Sequence, residues 1–405
     1  GADAVPSEAE PVYVRARGGS ERILSLEKHA RWPHFGTDPA RGYLSSDSEG
    51  LVSVSVDGHD RQVIATPEVR GATLRLSPDG SSILEMSGPN VSIHSAPANE
   101  LTGGALTTPE PLSIAMQSPG LIAWSPDGSQ VSTVTGTVLH TIDIREPDAQ
   151  ASARDLLVTA PRANHNETVV LRGGKVVTMH GNEVLADADL GVTGNRIASV
   201  GPAGTVTIPP GASEIDVRGR TIVPGFIDVH THFSVDPELP QPEGTTSFAN
   251  LAFGITSLRN PQTTPSVFAL ADMIEVDGVP GPRIFSTGPG LFRGSDFSTP
   301  EAARTSIEVY PETYRTHLLK WYLAGDRGAR RNLVPQARAL EMMVTTEGGA
   351  DTKADLTYAV DGLSGLEHAF PVAPIHDDLV QLVARTGITY TPTLAVAFGA
   401  ALPIF

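Results

Sequence analysis

Apolar and polar residues alternate in short bursts over residues 1–145, and each burst ends in turn chemistry. Leu51-Val52-Ser53-Val54-Ser55-Val56 runs into Asp57-Gly58, and Leu74-Arg75-Leu76 into Ser77-Pro78-Asp79-Gly80. Ile122-Ala123-Trp124 runs into Ser125-Pro126-Asp127-Gly128, and Val131-Ser132-Thr133-Val134 follows. A period of two marks half-buried strands. In Pro-Asp-Gly, proline presets φ and glycine accepts φ > 0, which makes a tight turn. The turns recur at a spacing of roughly 40–50 residues, and Phe35-Gly36-Thr37-Asp38-Pro39 reads as a third, degenerate copy. Four short strands per repeat predict propeller blades. There is room for about three blades where propellers have four to eight, so the propeller is expected to be cut short or to close with another chain. A plain antiparallel sandwich of hairpins is the alternative. Residues 8–15 read as a frayed arm, and His29, His34, His59, His94 and His140 are scattered and form no cluster.

Residues 146–166 are aperiodic and rich in Ala, Pro, Arg and Asp, so they read as an inter-domain connection. Short strands resume at residue 169, with turns at Gly173-Gly174, Gly194-Asn195 and Pro209-Pro210-Gly211. From residue 225 strands alternate with helical stretches, the order a βα barrel requires. The expected strands are residues 226–230, 254–259, 282–287, 317–323, 342–346, 365–368 and 389–394, and residues 300–315 read as a helix capped by Thr299. A full barrel has eight strands, so this one is expected to be incomplete. The apolar residues 391–405 are too few for a membrane span and include Pro392 and Pro403, so they are expected to be barrel core.

The first barrel strand leads into His230-Thr231-His232. On a strand, residues i and i+2 face the same way, about 6–7 Å apart. Two imidazoles so placed can hold one divalent metal at about 2.0–2.1 Å each. Two exposed histidines at a strand end fit the same spacing, and the pair alone does not choose.

The surroundings do. Residues 168–292 resemble the amidohydrolase superfamily, metal-dependent hydrolases built on a distorted TIM barrel. The resemblance is carried by the run from Asn195-Arg196-Ile197 to Val200-Gly201 and by Ile215-Asp216-Val217. Gly219-Arg220-Thr221-Ile222-Val223-Pro224-Gly225-Phe226-Ile227-Asp228 and His230-Thr231-His232 complete it. Trp124-Ser125-Pro126-Asp127-Gly128 resembles TolB-type propellers. The implied architecture is multidomain. It comprises a partial, all-β propeller over residues 1–145, a linker over 146–166, a small β-sandwich over 167–224, and an incomplete TIM-like (β/α) barrel, strands one to seven, over 225–405.

By the same resemblance, His230 and His232 match the strand-one ligand pair. Lys320 matches the strand-four lysine, which many relatives carboxylate to bridge two metals, and His368 matches the strand-six ligand. Many relatives carry Val-His-Ala-Glu-Gly on strand five, where this chain has Val344-Thr345-Thr346-Glu347-Gly348. Glu347 lies two residues beyond Thr345 and on the same face, so it is expected to supply an oxygen ligand instead. Each candidate has an ordinary alternative: a snorkelling lysine for Lys320, a satisfied core histidine for His368, and a carboxylate that orients another ligand for Glu347. That last role is also the one expected of Asp228. Arg259 and Tyr322 are expected at the mouth, on a substrate carboxylate or carbonyl.

The resemblance implies one or two divalent ions, zinc first, that activate water to hydrolyse a C–N bond. A small amide or dipeptide is the implied substrate, near imidazolonepropionase-like and prolidase-like members. The strand-eight Asp that moves the proton in such relatives has no counterpart in residues 225–405, so no catalytic residue is assigned and low activity is expected. A catalytically incomplete fragment, or a propeller-based binding protein, is the rival reading.

Composition changes this picture little. A net charge of −17 argues against nucleic acid as a partner. The absence of Cys excludes disulfides, thiolate metal sites and a cysteine nucleophile. No Gly-X-Ser-X-Gly elbow occurs, which weighs against serine hydrolysis. The start shows no charged-then-apolar leader, yet propeller-bearing amidohydrolases tend to be exported, so an extracytoplasmic location is favoured. A homo-oligomer is compatible with all of this.

Overall fold

The computed structural model describes residues 12–15, 21–25, 31–46, 48–57, 59–67, 72–87, 90–96, 104–105, 114–115, 121–146, 151–162, 166–233, 245–292, 297–348, 351–394 and 396. The expectations for residues 8–11, for His29 and for apolar residues 395 and 397–405 lie outside them. The chain divides into two compact units, Gly1–Leu157 and Val158–Phe405.

In the first unit, Val12–Arg15 pairs antiparallel with Glu21–Ser25, so that part of the expected arm is a strand. Antiparallel meanders follow. One joins Arg31–Phe35, Arg41–Ser46, Gly50–Ser55 and Arg61–Thr66, with Gly104–Ala105 parallel to the last. The next joins Thr73–Leu76, Ser82–Ser87, Asn90–Ser95 and Ile114–Ala115, and another joins Leu121–Trp124, Gln130–Thr135, Val138–Asp143 and Ser152–Asp155. Ser152–Asp155 lies inside the expected connection; all its residues are exposed, so no apolar alternation marks it.

Successive strand residues face opposite ways, and the middle meander uses both faces. Ile83 packs with Tyr43, Leu51, Ile64 and Leu74, while Leu84 packs with Val91, Ile122 and Val131. The two Ser-Pro-Asp-Gly turns close identically. Gly80 N–H donates to Ser77 O and Gly128 N–H to Ser125 O, both at 2.9 Å, with glycine φ of +74° and +70°. Ser77 and Ser81 hydroxyls donate to Asp79, and Ser125 and Ser129 hydroxyls to Asp127, whose carboxyl these bonds hold at about 2. The internal repeat is therefore structural as well as sequential.

One polar pair sits in this apolar interior. His94 Nε2 lies 2.8 Å from Glu85 Oε2, both side chains buried, without the alignment a hydrogen bond needs. Removing one member strands the other, whereas replacing both with hydrocarbon removes two desolvation costs. Glu85→Leu alone is expected to lose about 1–3 kcal/mol, and Glu85→Leu with His94→Leu to match or exceed the parent. Thermal denaturation of both variants measures this.

The second unit begins with one sheet. Thr168–Val177, Val184–Thr193 and Arg196–Pro202 form an antiparallel meander, and Ser213–Asp216 and Thr221–Ile222 pair parallel to its first strand. The expected two-layer sandwich is thus a single sheet over these residues. Register shifts around Gly174 let one long first strand serve both parallel partners.

A parallel arrangement follows. Its strands are β1 (Phe226–Asp228), β2 (Ile255–Asn260), β3 (Arg283–Ser286), β4 (Leu318–Trp321), β5 (Met343–Glu347), β6 (Gly365–Glu367) and β7 (Thr389–Thr391). They lie in the order β1-β2-β3 and β4-β5-β6-β7, with a parallel bridge between Leu291 and Trp321. Helices α1 (Thr245–Ala252), α2 (Ser266–Glu275), α3 (Pro300–Ile307), α4 (Arg327–Ala339), α5 (Thr352–Val360) and α6 (Asp377–Thr386) alternate with them. The expected strands are present in order but shorter. The expected helix to residue 315 stops at Ile307: Thr299 caps α3 as foreseen, but Pro311 lacks an N–H and the chain turns into a π-helical turn, Tyr310–Tyr314. Leu319, Trp321, Leu333, Val344 and Leu366 fill the main core under β4 to β6. Among the described residues no helix is long and apolar enough to cross a membrane.

Candidate metal centre

Strand β1 ends at Asp228, two residues before the first histidine, so strand pleat does not aim the pair. A pinned loop does. His230 N–H donates to Asp228 Oδ1 at 3.0 Å, Thr231 N–H to Arg259 O at 3.1 Å, and Asn260 Nδ2 to Phe233 O at 2.6 Å. These bonds set the rings of His230 and His232 5.3 Å apart, edge to face. Burial and the neighbouring His230 push His232 down, which keeps it a neutral imidazole, the form a metal takes.

His368 comes from just beyond β6, at φ +72°, a left-handed conformation unusual for a residue with a side chain. Its ring centroid is 5.0 Å from that of His230. Glu347, at the end of β5, binds two partners at once. Oε1 meets His368 Nε2 at 2.5 Å and Oε2 meets Lys320 Nζ at 2.7 Å. Lys320 points inward from β4 and is 0% exposed; its ammonium is off the hydrogen-bond axis and lies 5.0 Å from the Tyr322 ring centroid. Burial pushes Lys320 down, opposed by Glu347. Burial alone would raise Glu347, but Lys320 and then His368 hold it below its ordinary range.

The structure thus brings His230, His232, Lys320, Glu347 and His368 into one chain of contacts. Arg259 has partners within the protein. Its Nε donates to Val229 O and its Nη2 to Glu367 Oε1, both at 2.6 Å, so the guanidinium braces Glu367. Tyr322 does lie beside Lys320, stacked on Phe292 at 4.7 Å, and burial raises its phenol to about 12. Asp228 has the orienting role expected of it, through the His230 backbone.

Sequence reading missed Glu367 and the use made of Thr345. Glu367 is 1% exposed and accepts from His230 Nδ1 at 2.7 Å, from Arg259, and from the Thr345 hydroxyl. Burial would raise it, but His230, Thr345 and Arg259 hold it at about 2. Its signal was the carboxylate next to His368, on a strand otherwise apolar or small.

Two observations bear on whether these residues fit a cation. His230 Nε2 is buried and has no hydrogen-bond partner, as a nitrogen reserved for a metal would. Yet among the described residues no three His, Asp or Glu side chains converge to hold an ion as they stand, because Glu347 is taken by Lys320 and His368. The donor chemistry fits; Glu347 is engaged by Lys320 and His368.

No family model matches the chain. Adenine deaminase from Paracoccus denitrificans is 35% identical over 126 residues, 31% of this chain and 20% of that protein. Adenine deaminase from Deinococcus radiodurans is 26% identical over 235 residues, 54% of this chain and 42% of that protein. These matches support the amidohydrolase superfamily. A solved amidohydrolase gives a TM-score of 0.46 at 19% identity, covering 58% of this chain and 70% of that one. The chain spans less than half the length of the curated relatives named here.

Proposed function

We propose that the second unit carries the metal-binding part of a hydrolase that cleaves C–N bonds. The observation that carries this is the chain of contacts that links His232, His230, His368, Glu347 and buried Lys320, with His230 Nε2 unpartnered. His230, His232 and His368 would hold a divalent cation, zinc first, with Glu347 as oxygen donor. Such an ion lowers the pKa of bound water toward neutrality and polarises the scissile bond. Lys320 keeps Glu347 a carboxylate, and Glu367 keeps His230 in place. The Tyr322 phenol, raised to about 12, stays protonated at neutral pH and offers a hydrogen-bond donor at the mouth. The names of the sequence relatives make an aminopurine the first substrate to try, before small amides and dipeptides. In the first unit, the repeated turns and stacked meanders support a TolB-like propeller segment.

A second reading, a metal site without turnover in a binding protein, is favoured by the closed Glu347 contacts. Elemental analysis after equilibration with zinc, followed by an adenine, amide and dipeptide screen before and after chelation, separates the two. About one or two ions per chain with chelator-sensitive hydrolysis is the expected result. Metal without hydrolysis favours the second reading, and a chain that takes up no metal overturns both.

A further inference from the structure

We propose that Glu367 is a positioning residue: it fixes His230 in the tautomer whose Nε2 lone pair faces the cation. The inference rests on the metal-site reading above. A neutral imidazole carries its proton on one nitrogen and a lone pair on the other. His230 Nδ1 lies 2.7 Å from Glu367 Oε2, and the Arg259 guanidinium lies 2.6 Å from Oε1. A carboxylate facing an arginine accepts and does not donate. In the neutral ring Nδ1 therefore carries the hydrogen, which leaves the lone pair on Nε2, buried and unpartnered.

Both Glu367 oxygens are committed, Oε2 to His230 and Oε1 to Arg259 and Thr345. Glu367 is thereby excluded as a ligand and kept as an orienter. The strand register builds this clamp. Thr345 pairs with Gly365 and Glu347 with Glu367, so a residue on β5 reaches the carboxylate on β6. A Cβ on Gly365 would come within 2.6 Å of Thr345 Oγ1, so that glycine leaves room for the hydroxyl to turn toward Glu367. Thr345, where many relatives place a histidine, serves the clamp instead of the metal. An outer carboxylate on a ligating histidine typically changes metal affinity by about 10–100-fold.

The test uses the 405-residue chain and Glu367→Gln, which keeps the shape: donors from Arg259 and Thr345 hold the amide oxygen in the Oε1 place, so the amide N–H faces Nδ1. Two readouts are taken: the His230 tautomer in the metal-free protein by nitrogen-15 NMR, and Co²⁺ and Zn²⁺ affinity by competition titration. The parent should show Nδ1–H. The variant should lose that tautomer and bind metal about 10–100-fold more weakly, and Glu367→Asp should recover part of the affinity. An unchanged tautomer and affinity in folded Glu367→Gln overturns the inference, as does a parent whose His230 carries Nε2–H. Should Glu367→Gln not fold, Thr345→Val is measured with the opposite expectation: it keeps the carboxylate, so the tautomer should persist, and its loss overturns the inference. Failure of the parent to bind either metal overturns the metal-site reading, while the tautomer, measured without metal, tests the Glu367 clamp by itself.

Discussion

Replacing His230 with Ala is expected to abolish metal binding and any C–N hydrolysis while leaving a folded chain. His230 is the central imidazole, 5.3 Å from the His232 ring and 5.0 Å from the His368 ring. Losing a mere outer partner costs about 10–100-fold in affinity, so losing a ligand with an unpartnered Nε2 should cost more than about 100-fold. The fold should survive. The loss removes one partner from Glu367, which keeps Arg259 and Thr345, and leaving buried polar atoms short of a partner costs about 1–3 kcal/mol. Zinc content, with circular dichroism as the folding control, decides it. Unchanged zinc in the variant would remove His230 from the site.

Glu347→Ala has a larger expected cost to stability. Lys320 is 0% exposed and Glu347 is its ion-pair partner, with a side chain 25% exposed. Breaking a buried pair from one side leaves an uncompensated charge and typically costs about 3–5 kcal/mol. Adding Lys320→Met should restore most of that loss, because methionine fills similar volume without a charge. Urea denaturation of the single and double variants gives both numbers. Equal stability of Glu347→Ala and the parent would mean that the ammonium reaches water or another partner.

Strand order was legible because β-branched runs alternate with turn residues, and the candidate ligands were legible because they stand at the ends of those runs. What escaped has a common cause: it is made by tertiary contact, not by local pattern. Glu367 and His230 are 137 residues apart in sequence, and Glu367 and Arg259 are 108 apart. No periodicity links them, so the bond from Arg259 to that carboxylate left no trace in the sequence pattern. The histidine pair was read from strand pleat, but the strand stops at Asp228, and bonds to Arg259 and Phe233 do the aiming. Ser152–Asp155 was missed because an exposed edge strand needs no apolar face. Pro311 lies beyond the end of α3, in the turn that replaces the helix expected to run to residue 315.

The φ of +72° at His368 means that its imidazole is aimed by the main chain as well as by its rotamer. Position 368 consequently filters sequence drift on conformational grounds before chemistry is consulted: glycine and asparagine enter cheaply, while valine and isoleucine are turned away.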